Sequence, residues 1–154
     1  GAFEEPYPYW NASTDAPAER LRGDIDILPR LAEDGLCDAG KDISMAGTAG
    51  TALMLLECSG VGACIDIEHI PRPEGVPLLR WLLSFPSFGY LLSVRPQHRL
   101  RVLERFAARG IAAARIGRVT ASPEVWLERS GERVRLWDVA RQPFIRAPQE
   151  SVHG

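Results

Sequence analysis

The segment from Gly40 to Gly50 has the sequence GKDISMAGTAG and is followed by an apolar run from Thr51 to Cys58. Its glycines predict a turn that leads into a helix, because glycine accepts the backbone conformations that turns require. The predicted helix is apolar almost all round, so we expect it to be buried in the core. Lys41, the only lysine among 18 basic residues, stands just before the turn. This segment therefore marks both the centre of the fold and a candidate site.

The start of such a helix can bind an anion through its free backbone N–H groups. Lys41 can add positive charge, and Asp42 can hold a hydrated Mg²⁺ ion. Ser44 and Thr48 can donate to a phosphate, although both residue types more often serve as helix N-caps. Glycines also begin helices for structural reasons alone, and Lys41 can simply pair with Asp42. A phosphate site of Lys41, Ser44, Gly47 and Thr48 and a purely structural turn are both open interpretations.

The other elements are predicted from periodicity and from the positions of glycine and proline. Predicted helices cover residues 27–35, 48–58, 77–83 and 96–109, and predicted strands cover residues 63–67, 90–94, 112–120, 124–128 and 133–138. This order favours an α+β sandwich with a mixed sheet, packed helices and ferredoxin-like character. We expect a right-handed crossover between the strands at 90–94 and 112–119.

The two ends of the chain have no helical or strand period. Residues 1–23 contain three prolines and predict an extended arm. Tyr7, Tyr9 and Trp10 suggest that this arm packs on something, with a disordered tail as the alternative. Residues 143–154 are predicted to be a flexible tail.

Two motifs carry a family resemblance: KDISMAG at residues 41–47 and LMLLECSGVGACIDI at residues 53–67. They resemble the C-terminal domain of the aminoimidazole ribonucleotide (AIR) synthetase superfamily, which includes thiamine-monophosphate kinase and selenophosphate synthetase. Residues 85–94 and 110–119 follow in the order that this resemblance implies. Within the superfamily, the chain resembles the branch called AIR synthase-related protein.

The resemblance implies that residues 24–142 are a C-terminal domain, and that residues 1–23 arrive from an N-terminal ATP-binding domain. In such enzymes ATP and Mg²⁺ lie mainly on the N-terminal domain, which also forms most of a homodimer. The C-terminal domain closes over a small-molecule substrate. The implied reaction is phosphoryl transfer, or activation of an oxygen by ATP before attack by a nitrogen nucleophile. This domain alone is then expected to be inactive.

The resemblance also suggests site residues. Asp42 matches the first aspartate of a family motif and is a candidate Mg²⁺ ligand. Met45 departs from the family, because kinase-type members have a second aspartate at this position. Ser84, Ser87 and Phe88 match a segment that borders the substrate cleft. The same segment can instead be the start of a strand that is covered by aromatic side chains. Met45 favours the alternative function, a non-catalytic dimerisation or small-ligand-binding module.

Composition limits the remaining possibilities. The chain has 154 residues and a net charge of −2, which favours one globular domain and argues against nucleic-acid or membrane-surface binding. No apolar run approaches the roughly 20 residues of a membrane span. Three cysteines without a metal-ligand spacing predict reduced thiols and a cytoplasmic protein.

Overall fold

The computed structural model describes residues 1–145, and the chain divides into two compact units. The first unit contains Gly1–Thr51 and His69–Arg115, and the second contains Ala52–Glu68 and the residues from Ile116 onward. Sequence analysis favoured one domain with one core. Among residues 1–145, the first unit instead holds two sheets and the second holds one, and each unit has its own buried apolar side chains.

Helices and strands are interspersed along the chain. The helices are α1 (Ala18–Ile25), α2 (Ile27–Glu33), α3 (Gly47–Ser59), α4 (Leu78–Leu82) and α5 (Arg99–Ala107). The strands are β1 (Ala2–Phe3), β2 (Tyr9–Asn11), β3 (Ala39–Asp42), β4 (Gly62–Asp66), β5 (Phe85–Pro86), β6 (Tyr90–Ser93), β7 (Gly117–Thr120), β8 (Glu124–Arg129) and β9 (Glu132–Asp138).

The core of the first unit is formed by α2 and α5. Its buried cluster consists of Ile27, Leu31, Leu36, Val102 and Phe106. The amphipathic helix predicted over residues 96–109 is present as α5, and its buried face is formed by Val102 and Phe106. The apolar face expected from the sequence was Leu100, Leu103, Phe106 and Ala107, but Leu100 is 66% exposed and Ala107 is exposed. The arginines of that helix occupy the other face, where Arg105 pairs with Asp34 at 2.7 Å.

The N-terminal arm folds back onto its own unit, so the expectation of no regular structure over residues 1–23 is wrong. β1 pairs antiparallel with β2, and β2 pairs parallel with β5. The ring of Trp10 packs edge-on against Trp81, with the ring centres 5.6 Å apart, and Tyr9 packs against Phe85 at 5.3 Å. Residues 18–23 belong to helix α1. The arm was missed because its strands are only two and three residues long and gain their partners from distant parts of the chain.

The second unit is built on a mixed four-stranded sheet in the order β7-β4-β8-β9. β4 is parallel to β8, and the other pairs are antiparallel. Buried side chains of this unit come from the second half of α3 and from the central strands: Ala52, Leu53, Leu56, Ala63, Cys64, Ile65 and Val125. The prediction of a buried apolar helix is therefore confirmed.

The β8–β9 hairpin has a two-residue turn at Ser130 and Gly131, whose φ angles are +49° and +84°. Two positive φ angles suit the right-handed twist of a two-residue hairpin. The carboxylate of Glu68 accepts the N–H of Ser130 at 3.1 Å and the Ser130 hydroxyl at 3.0 Å. The hairpin was predicted from alternation, but this anchor was not.

A C-terminal strap continues from β9 and ends on helix α3. Glu57 is 6% exposed, and its Oε2 accepts the N–H groups of Phe144 and Ile145, both at 2.9 Å. The Phe144 ring packs edge-on against Trp137 at 5.6 Å. The predicted flexible tail is thus wrong for Phe144 and Ile145, while residues 146–154 lie outside the described part of the chain.

The predicted α+β class, with a mixed sheet and packed helices, is confirmed. The predicted crossover is wrong, because β6 pairs with β3 and β7 pairs with β4 in a different sheet. The strand predicted over residues 112–120 is shorter, since residues 112–115 are exposed and only residues 117–120 pair with β4. Within residues 1–145, no helix is both long enough and apolar enough to cross a membrane.

Candidate functional site

The candidate site of the first unit lies on the antiparallel pair of β3 and β6, where Lys41 is opposite Leu91 and Asp42 is opposite Tyr90. β3 was not predicted, because its sequence AGKD has no apolar alternation. The Nζ atom of Lys41 lies 3.2 Å from Oδ1 of Asp42. The Asp42 side chain is 65% exposed. A carboxylate that is open to solvent and paired with a cation is thus presented at the end of β3.

Tyr90 is the residue beside Asp42 that sequence analysis missed. Directly opposed residues of an antiparallel pair project from the same face of the sheet. Burial raises the pKa of the Tyr90 phenol, and the negative charge of Asp42 raises it further. The Tyr90 ring also packs edge-on against Phe88, with the centres 5.2 Å apart. The side chains of Asp42 and Tyr90 are brought together by the register of β3 on β6. Because β3 was not predicted from the sequence, this register could not be predicted either.

The turn that follows Asp42 is held at three points. The Ile43 N–H donates to the Gly89 carbonyl at 2.9 Å. The Ser44 N–H donates to the Oγ1 atom of Thr51 at 3.3 Å, and Thr51 is completely buried. The Gly47 N–H donates to the Ser44 carbonyl at 2.8 Å and closes the turn.

Gly47 is required in this turn for two reasons. Its φ of +69° lies in the left-handed region that side chains disfavour. A Cβ atom at this position would also lie 2.3 Å from the carbonyl oxygen of Leu82. The turn therefore packs backbone against backbone at the end of α4, and Gly47 itself is buried.

The predicted phosphate-binding residues have different environments. Thr48 is the second residue of α3, so it is not an N-cap, and at 4% exposure its hydroxyl is shielded from a ligand. Ser44 is half-buried in the turn. Within residues 1–145, the N–H groups of Thr48 and Ala49 have no backbone acceptor, as is usual for the first turn of a helix. Any anion would thus be held by backbone N–H groups and Lys41 more than by hydroxyls.

Asp42 is the predicted Mg²⁺ ligand at this place. No group of three or more His, Cys, Asp or Glu side chains that could hold a metal ion occurs in residues 1–145. Met45, at the position where the resemblance implies a second aspartate in kinase-type members, is 80% exposed. A hard cation at Asp42 would need further oxygen ligands from elsewhere, such as phosphate oxygens or water.

The two serines of the predicted substrate wall have structural roles in this fold. Ser84 is 1% exposed, and its hydroxyl donates to the carbonyl of Arg80 at 2.5 Å, so a substrate cannot reach it here. The Ser87 oxygen accepts the N–H groups of Ala12 at 2.9 Å and Ser13 at 3.0 Å. Phe88 is half-buried beside Tyr90, and Ser87 is half-buried as well, so both remain partly open.

A family model described as "AIR synthase related protein, C-terminal domain" matches residues 9–128. The chain belongs to this family. The matched residues of this AIR synthase-related domain include β3, the glycine turn and the β6 strand, so the candidate site lies within the family region. All of β9 and the strap residues Phe144 and Ile145 lie beyond it.

Similar proteins support the family assignment. An uncharacterised protein of Synechocystis, sll0787, is 47% identical over 138 residues, which is 89% of this chain and 43% of the relative. The chain spans less than half the length of the first curated relatives that it matches.

Solved structures share the fold. PurL of Thermotoga maritima in complex with ADP has a TM-score of 0.70 at 18% identity, covering 92% of this chain and 24% of PurL. The same protein has been solved with ATP and with FGAR. HypE, in a complex with HypF, has a TM-score of 0.63 at 22% identity, covering 77% of this chain and 41% of the neighbour. At these identities the likeness concerns the fold alone.

Proposed function

We propose that this chain is the substrate-side C-terminal domain of a longer ATP-dependent enzyme. That enzyme would transfer phosphate from ATP to a small metabolite, or use ATP to activate an oxygen before attack by a nitrogen nucleophile. The observation that supports this most is the family match over residues 9–128, which contains the whole candidate site. Complexes of the structural neighbour PurL with ATP and ADP agree with nucleotide use in the family.

The partners in this proposal are an N-terminal ATP-binding domain of the same protein and a second copy that completes a homodimer. ATP and most of the Mg²⁺ ligands would lie on the N-terminal domain. Because Cys37, Cys58 and Cys64 are all free thiols, we place the protein in the cytoplasm.

The charges at the site determine how a phosphate and a metal could be bound together. A phosphate beside the exposed Asp42 carboxylate is repelled, and Lys41 is already paired with that carboxylate. A Mg²⁺ ion on Asp42 would remove the repulsion and free the Lys41 ammonium for the phosphate. Asp42 would then supply one Mg²⁺ ligand, and Lys41 with the backbone N–H groups of Thr48 and Ala49 would hold the phosphate, because the N–H groups of Ser44 and Gly47 already donate within the turn.

A titration of this chain tests the anion site. Phosphate added at millimolar concentration should shift the backbone amide resonances of residues 46–50, and Mg²⁺ should enlarge those shifts. The Asp42→Asn variant should lose the Mg²⁺ effect, whereas Glu33→Gln, an exposed carboxylate change on α2, should keep it. Resonances that do not move with or without Mg²⁺ would remove the turn from the site.

The longer protein tests the reaction. A thermal-shift screen with ATP, Mg²⁺ and phosphorylated metabolites should identify a stabilising pair of ligands. With that substrate, Asp42→Asn should lower turnover while the folded structure is retained, because an amide is a poorer Mg²⁺ ligand of the same shape. Unchanged turnover would exclude Asp42 from catalysis.

The second candidate function is a non-catalytic dimerisation or small-ligand-binding module. It is favoured by Met45, which stands where the resemblance implies a second aspartate and is 80% exposed. The N-terminal half of the longer protein distinguishes the two functions, since a Gly-Asp-Asp-type magnesium motif there supports the enzyme.

A further inference from the structure

Exposed apolar side chains lie beside the candidate site, where the end of α4 meets the glycine turn. They belong to Met45, which is 80% exposed, to Leu79, which is 70% exposed, and to Leu83, which is 61% exposed. We call these three side chains the α4 patch. Single exposed apolar side chains are ordinary on a protein surface, whereas neighbouring ones mark a place where a partner binds.

Backbone contacts hold the three members of the α4 patch in place. The Leu83 N–H donates to the Leu79 carbonyl at 3.3 Å, and residues four apart share one face of a helix. A Cβ atom on Gly47 would lie 3.2 Å from the Cα atom of Leu83, so the turn is in direct contact with the end of α4. Met45 is a corner residue of that turn, which the Gly47 N–H closes on the Ser44 carbonyl. The patch is thus presented on a fixed backbone.

The α4 patch is next to the candidate site. Met45 follows Asp42 by three residues, and β3, the glycine turn and α4 belong to the same compact unit. A Mg²⁺ ion on Asp42 would need further oxygen ligands, which the phosphates of a nucleotide can supply. A partner that covers the patch therefore stands where it can bring those ligands to Asp42.

The size of the α4 patch favours a partner that is linked through the same chain. Three side chains expose a few hundred Å² at most, whereas a stable interface between separate proteins buries roughly 800 Å² on each partner. A linked domain needs less area, because linkage raises its effective concentration to the millimolar range. The first two curated relatives have room for such a domain, since this chain covers only 43% and 44% of their lengths.

We propose that the α4 patch docks the N-terminal domain of the longer protein and that this docking completes the site at Asp42. The identity of that domain as the ATP-binding one rests on the proposed function, whereas the docking does not. Met45 then serves as an apolar contact and not as a metal ligand. Methionine suits this role, because its flexible thioether side chain adapts to the shape of a partner surface.

Oxidation of Met45 by hydrogen peroxide tests the docking directly and needs no nucleotide. An exposed methionine is converted to its sulfoxide, and a covered one reacts more slowly. Peptide mass spectrometry should show Met45 oxidised about tenfold more slowly in the longer protein than in this chain. Met54, the other methionine of the sequence, is half-buried in α3 and provides an internal reference in both proteins.

Substitutions on α4 of the longer protein provide a second test. Leu83→Asp should return Met45 to the fast rate, because a charge in an apolar interface is costly to bury. Leu100→Asp is the matched control, since Leu100 is 66% exposed on α5 of the same unit, outside the patch, and its replacement should leave Met45 protected. Circular dichroism verifies that each variant is folded, and Leu79→Asp replaces Leu83→Asp if the latter is not.

Two results would overturn the docking. Equal Met45 rates in this chain and in the longer protein would show that the linked domain does not cover the patch. Protection that appears in this chain alone as its concentration rises would assign the patch to a second copy.

Thermal shift of the longer protein with ATP and Mg²⁺ separates the docking from the proposed function. Stabilisation by ATP with a reactive Met45 would remove the docking and keep the function. A protected Met45 without any nucleotide effect would keep the docked domain and remove its role in ATP binding.

Discussion

The glycine turn before α3 and the tip of the β8–β9 hairpin are both tight turns with a glycine at positive φ, but they are held differently. Gly47 meets the Leu82 carbonyl, whereas a Cβ on Gly131 would meet nothing within 4 Å. The glycine turn is anchored by the buried, neutral hydroxyl of Thr51, and the hairpin tip by the exposed carboxylate of Glu68. A turn whose backbone lies against another backbone therefore tolerates no side chain at its glycine. A turn that needs glycine only for its positive φ angle tolerates a side chain at a modest cost in stability.

The largest effect is expected for Gly47→Ala. The substitution combines left-handed strain with a clash against the Leu82 carbonyl, so it should lower the free energy of unfolding by roughly 2–5 kcal/mol. Urea unfolding followed by circular dichroism measures this. Gly35→Ala is the control, because Gly35 has a similar φ of +65° in the same unit with nothing within 4 Å of its Cβ position. Equal costs for both variants would contradict the role of close approach.

Thr51→Val should have the next largest effect. Valine fills the same volume but leaves the Ser44 N–H without its acceptor, which should cost about 1–3 kcal/mol. Because a hydroxyl does not titrate in this range, the cost should be the same at pH 4 and pH 7. A cost that changes strongly with pH would show that an ionisable group anchors the turn instead.

Gly131→Ala should have a smaller effect, about 1–2 kcal/mol, because only the left-handed φ is disturbed. Unfolding in urea again provides the measurement, and Gly131→Asn is an informative companion, since asparagine accepts this conformation more readily. A loss as large as that of Gly47→Ala would abolish the contrast between the two turns.

The smallest expected effect is a pH dependence at the hairpin tip. The hydrogen bond from the Ser130 hydroxyl lowers the pKa of Glu68, against the opposing effect of burial, and the Ser130 N–H and Arg129 lower it further. A carboxyl group whose pKa is lower in the folded state stabilises the fold at pH values above its unfolded-state pKa. That stabilisation is lost as the pH falls through its folded-state pKa. The Ser130 amide resonance should therefore titrate with a midpoint below 4.5, the ordinary value for glutamate. Ser130→Ala should move the Glu68 midpoint upward, and an unmoved midpoint would count against the hydroxyl as the main cause.

Elements with a local pattern could be predicted from the sequence. Helix α3 follows from its apolar run, α5 from its amphipathic period and the β8–β9 hairpin from alternation around Ser130 and Gly131. β3 and β5 could not be predicted, because two to four residues without apolar alternation become strands only through distant partners. The division into two units was missed for the same reason, since it depends on which strands share a sheet.

The candidate site shows the same limit. Lys41, Asp42 and Gly47 stand next to one another in the sequence, and their juxtaposition could be predicted from it. Tyr90 is brought to Asp42 by strand register, and Ser87 is bound by residues more than 70 positions away. Chemistry that depends on neighbours in sequence was therefore predictable, and chemistry that depends on neighbours in space was not.

The edge-on contact of Trp10 with Trp81 has an optical consequence. Two indole rings with centres 5.6 Å apart are close enough for their strong far-ultraviolet transitions to couple, which gives a pair of dichroism bands that neither ring has alone. This signal exists only while the first ten residues are docked on α4. The protein thus carries a natural spectroscopic reporter of its own arm, which requires no dye and no substitution.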